Sequence, residues 1–169
     1  KLNNSVRDTD AIVQLLTTRY QFDAPNIVRL YNTEANEREI YRELKRLALT
    51  LTDDDNLLIY FAGHGVYDAV TKEGFWIPVD AEQGEESDYI GNDKVIRYIK
   101  AIKARHVFLM ADACFSGSLF TNTRSDLVDR LESQPSRWAL TSGRNEVVSD
   151  GRPGSHSPFA KSLLNILGR

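Results

Sequence analysis

Apolar positions along the chain recur at a helical period in some stretches and run almost unbroken in others, and the two kinds of stretch alternate. Thr9, Ile12, Val13, Leu16 and Tyr20 share one helical face, which predicts an amphipathic helix over about residues 6–20. Asn26–Tyr31 then reads as a short strand. Thr33 is placed to cap a second helix on which Ile40, Leu44, Leu47 and Leu51 recur, and Asp53-Asp54-Asp55 ends it in a polar turn. Strand Leu57–Ala62 follows, then the extended segment Phe75-Trp76-Ile77-Pro78-Val79 and a third helix with Val95, Ile96, Ile99 and Ile102 facing inward. Val107–Ala111 and Arg137–Ser142 are the next strands, and Pro158 opens a last helix whose apolar face is Phe159, Leu163, Ile166 and Leu167.

Leu57–Ala62 and Val107–Ala111 are nearly continuous apolar runs, the pattern of parallel strands buried on both faces. The predicted fold class is therefore α/β, a three-layer α/β/α sandwich around a mostly parallel central sheet. The first helix begins almost at residue 1, whereas such folds bring a strand in ahead of it. A first strand is expected outside the given segment, and residues 1–169 read as a single domain of a longer protein. Between the last two strands, Ser118–Gln134 is polar and rich in Arg, Asp and Ser.

Composition narrows the function. The 169 residues are 41% hydrophobic with a net charge of −3, which argues against a nucleic-acid or anionic-membrane surface built on a basic excess. No apolar run approaches the ~20 residues that span a bilayer, and the polar start is no signal peptide. One cysteine excludes an intrachain disulfide framework and a cysteine-rich zinc site, and it fits a reducing, cytoplasmic setting.

That cysteine, Cys114, follows the apolar run at Val107–Ala111, and His64 follows the run at Leu57–Ala62, so both stand where strands exit. Catalytic groups of open α/β sheets gather at the carboxyl ends of strands. An imidazole beside a thiol can take its proton and later return it to a leaving amine, which makes Cys114 a nucleophile, His64 an acid–base partner and acyl transfer the reaction. Gly65 and Gly117 leave the approach uncrowded, and the backbone N–H groups of Gly65 and Cys114 are candidates for an oxyanion hole. His106 and His156 read as structural.

Tyr60-Phe61-Ala62-Gly63-His64-Gly65 and Asp112-Ala113-Cys114-Phe115-Ser116-Gly117, fifty residues apart from His64 to Cys114, resemble the two catalytic motifs of the caspase-like (C14-type) cysteine peptidases. Similarity continues through Phe75–Asp80 and Ser155-His156-Ser157-Pro158-Phe159, and is greatest to the metacaspase and bacterial orthocaspase branch. The resemblance implies the caspase-hemoglobinase fold and an endopeptidase that cuts after Arg or Lys, with a protein or peptide carrying a basic P1 residue as partner. Asp112 matches an acidic pocket position of that branch. Val6-Arg7-Asp8 resembles its second acidic motif, making Asp8 the candidate and Asp10 the fallback. Two carboxylates would select a basic side chain by charge-assisted hydrogen bonds. Ala139–Ser142 resembles the family's substrate-binding strand, with Ser142 and Ala139 beside the peptide and Trp138 walling the adjacent pocket.

Relatives are often self-processed in the region of Arg124 and Arg130, and regulatory domains often accompany the peptidase domain outside the given segment. Calcium activates many metacaspases, but Asp53-Asp54-Asp55 lacks the spacing of a calcium loop, so no cofactor and no metal ligand is assigned. Two other readings stand beside the peptidase: a catalytically silent caspase-like interaction module, and an unrelated hydrolase of small thioesters or amides.

Overall fold

The computed structural model describes residues 4–114, 136–143 and 149–169. Helix α1 (Ser5–Arg19) and helix α2 (Glu37–Thr50) precede strand β1 (Asn56–Ala62). Strands β2 (His64–Asp68), β3 (Glu73–Ile77) and β4 (Ile90–Gly91) follow, then helix α3 (Asn92–Ala101), strands β5 (His106–Asp112) and β6 (Ser136–Thr141), and helix α4 (Pro158–Leu167). Among the described residues the main sheet has the order β1-β5-β6 with both pairings parallel, while β2-β3-β4 form a small antiparallel sheet. Helices cover both faces of the parallel sheet, as the unbroken apolar strands require.

Strand β5 shows how alternation assigns the layers. Met110, with Phe108 partly buried beside it, packs against Ile12 and Leu16 of α1 and Leu163 of α4. Leu109 and Ala111 point the other way, to Ile40 and Leu44 of α2 and Val95 of α3. Val107 joins the second face in a cluster with Ile102 and Ala104. Successive side chains on a strand point to opposite faces, so five residues of β5, Val107 to Ala111, feed two cores. Phe61 of β1 stacks on Trp76 of β3 at 4.0 Å between ring centroids, tying the small sheet to the large one.

Several expectations are corrected. Asn26–Tyr31 is not a strand: Ala24–Asn26 is a 3₁₀ turn, and Ile27 to Tyr31, although extended at both ends, pairs with no described strand. Extended backbone becomes a strand only where a neighbour takes its N–H and C=O groups. The outer edge of β1 is likewise unpaired among the described residues. Thr33 lies in a 3₁₀ turn instead of capping α2; Asn36 is the cap, its side chain accepting from the Glu39 N–H at 2.9 Å. Ile166 is 67% exposed, so the inner face of α4 runs through Phe159, Leu163 and Leu167 without it. His64–Asp68, which the apolar pattern assigns to no element, is strand β2. No helix among the described residues is long and apolar enough to cross a membrane.

Candidate active site

The register of the parallel sheet brings the two motifs together. Ala62 at the end of β1 lies opposite Asp112 at the end of β5, so His64 and Cys114 each stand two residues beyond a matched pair. The Gly63 N–H donates to the Asp112 carbonyl at 3.2 Å, continuing the contact past the strand ends. His64 then opens β2 opposite Ile77, and Gly65 lies opposite Trp76. A Cβ on Gly65 would come within 2.2 Å of the Cys114 carbonyl oxygen, so the two backbones approach to a distance that only glycine allows.

One cavity of about 190 Å³ receives both motifs. His64, Cys114, Ala113 and Gly63 line it together with Asp8, Asp112, Asp150 and Ser157. A void of about 150 Å³ takes a benzene ring, so this volume suits one substrate side chain. Its lining holds three carboxylates and, among the described residues, no Lys or Arg. Cys114 is half-buried and outside any disulfide. Partial desolvation of its ring holds His64 below the usual imidazole pKa, against the opposing pull of Asp150, which favours the uncharged form able to accept a proton.

Asp112 is pushed above the ordinary carboxylate range, first by burial and then by the charges of Asp8 and Asp150, against hydrogen bonds from Ser157 and Ser142 that favour its ionised form. The Ser157 hydroxyl makes a short bond to Oδ2 of Asp112. Asp8, in the first turn of α1, is 1% exposed, accepting from the Ser157 N–H at 3.1 Å and lying 2.5 Å from His156 Nδ1. Asp10, the fallback, is exposed and accepts from the Tyr31 hydroxyl at 2.9 Å, away from the cavity lining.

The other expected substrate contacts are less closely gathered. Ser142 packs on the end of β5, its N–H donating to the Ala111 carbonyl at 3.0 Å and its hydroxyl to that of Ala113 at 3.3 Å. Ala139 and Trp138 lie back along β6, opposite Leu109 and Phe108, and do not line the cavity; Trp138 is 67% exposed. Gly117, Arg124, Arg130 and the Ser118–Gln134 segment lie outside the described residues.

Ser157 and Asp150 line the cavity and His156 stands behind Asp8, none of the three having been expected there. The loop that carries them is tied to the start of α1 by Asn4, fully buried, whose side chain donates to the carbonyls of Asp150 at 2.6 Å and Arg152 at 3.0 Å and accepts from Gly154 N–H at 3.1 Å. Gly151 holds φ at +80°, and a Cβ there would meet the His156 carbonyl oxygen at 2.6 Å. Among the described residues, no group of three or more His, Cys, Asp or Glu side chains is arranged to hold a metal ion. No curated protein matches the chain in a sequence comparison. The family model for the caspase domain of peptidase family C14 matches residues 1–169, and the chain belongs to that family of cysteine peptidases.

Proposed function

We propose that this chain is an endopeptidase of the metacaspase and bacterial orthocaspase type that cleaves after Arg or Lys through Cys114 and His64. The observation that carries the reading is a single cavity lined by a thiol, an imidazole and three carboxylates. Neutral His64 takes the thiol proton, and the Cys114 sulfur attacks the carbonyl carbon of the scissile bond. The oxyanion is met by the backbone N–H groups of Gly65 and Cys114. His64 returns its proton to the leaving amine, leaving an acyl-enzyme. Water, deprotonated by His64, then attacks that thioester, and the acid product leaves as the thiol is restored.

Asp112 and Asp8 receive the cationic end of the P1 side chain. A cation relieves the repulsion between the carboxylates and favours the ionised form of Asp112 that burial resists. The outer edge of β6 carries no strand among the described residues, which supports docking of an extended substrate along Ala139–Ser142, with Trp138 as an apolar wall farther out.

A panel of fluorogenic peptides with Arg, Lys or Asp before the scissile bond tests the reading, with Cys114→Ala as the blank. Release from Arg and Lys peptides by wild type alone is expected. Preference for Asp would overturn the pocket assignment, and equal signals from wild type and Cys114→Ala would overturn the nucleophile.

A further inference from the structure

Both oxygens of Asp8 are engaged by one dipeptide, His156 through its ring and Ser157 through its backbone. The tautomer with its hydrogen on Nδ1 lets His156 donate to Asp8 across 2.5 Å, and a carboxylate oxygen is an acceptor suited to it. His156 itself does not line the cavity, and 32% of its side chain is open to solvent. It therefore reaches the pocket only through Asp8. The Ser157 N–H fixes one oxygen; the second donor is what stops a carboxyl group from turning about its Cβ–Cγ bond, a soft torsion.

We propose that His156 is a positioning residue that aims Asp8 at the cationic end of the P1 side chain and so sets how tightly basic substrates bind. The proposal rests on the Arg/Lys reading above. Cys114 and His64 are carried by the ends of β5 and β1 and by β2, whereas His156 belongs to the loop ahead of α4. Disturbing His156 is accordingly a change in binding, not in chemistry.

The test is the kinetics of an Arg-P1 fluorogenic peptide with wild type, His156→Ala, His156→Asn, Asp8→Asn and the Asp8→Asn/His156→Ala double variant, each checked for folding by circular dichroism. His156→Ala is expected to raise KM roughly tenfold, the loss of one charge-assisted hydrogen bond, with kcat within about twofold. His156→Asn, whose carboxamide nitrogen can take the place of Nδ1, is expected to bring KM back to within about threefold of wild type. In the Asp8→Asn background the alanine change should have no further effect on KM. If His156→Ala does not fold, His156→Gln replaces it, since its amide stands one bond too far out and should behave as the alanine does. An unchanged KM in a folded His156→Ala or His156→Gln, a fall confined to kcat, or an asparagine variant no better than alanine overturns the inference while leaving Arg/Lys cleavage intact. A wild type that cleaves other peptides but none after Arg or Lys overturns the parent reading and this one together.

Discussion

Asp112 does its proposed work as an anion in a place that resists anions, and the conflict is measurable. Its folded-state pKa is raised, so the folded chain retains a proton that the unfolded chain releases as pH climbs. Ionising Asp112 therefore withdraws stability between the ordinary value of 3.8 and the raised one, and the loss is complete once the pH has passed the raised value. Asp112→Asn keeps an acceptor oxygen for Ser157 and removes the charge, so it is expected to melt higher than wild type at pH 7. The difference should close as pH falls toward 3.8 in a thermal melt series. The same substitution should raise KM for Arg-P1 peptides by roughly tenfold to a hundredfold, the worth of a charged hydrogen bond. His64, lowered by desolvation, predicts an acidic limb of kcat/KM with its midpoint below 6.5; His64→Ala should lose about 10²–10⁴-fold in kcat. Gly65→Ala must move the Cys114 carbonyl, and at least a tenfold fall in kcat is expected in a chain that still folds.

Ser157 caps α4 through its hydroxyl oxygen, which accepts from the Ala160 N–H at 3.0 Å, and donates the hydroxyl hydrogen to Asp112. Asn36 caps α2 and donates to the Thr33 carbonyl at 2.9 Å, away from the cavity. Either cap replaced by alanine should cost about 1 kcal/mol, a fall in Tm of about 2–4 °C for a chain this long. Only Ser157→Ala should also alter KM for basic peptides, and parallel melting and kinetic measurements on both variants separate the roles. The helices and parallel strands were legible because each buries a face, and burial leaves a period: Ile40 to Leu44 on α2, the unbroken run before Asp112 on β5. Strand β2 left no such mark, since His64-Gly65-Val66-Tyr67-Asp68 is held by pairing with Glu73–Ile77 and not by a buried face of its own. Asn26–Tyr31 failed in the opposite sense, having a strand's composition and no described neighbour.

Taken as a whole, the molecule builds its cavity from residues far apart in the chain. His64 and Cys114 were readable because each ends an apolar run, and Asp8 and Asp112 because their neighbours resemble known motifs. The pairing of Asp8 with His156 spans 148 positions and leaves no local pattern at either end. Long-range closure of this kind links the pocket to the stability of the entire fold. A small guanidinium such as agmatine, bound only by the folded pocket, should raise Tm as its concentration passes Kd, and Asp112→Asn should abolish the rise. The same closure orders events during synthesis. A chain emerging from the ribosome displays His64 and then Cys114 while Asp8 still waits for the loop at 149–157 to arrive. On the proposed reading, the growing polypeptide in that interval holds its reactive pair without the means to grip a basic residue, and selectivity becomes one of the last properties it acquires.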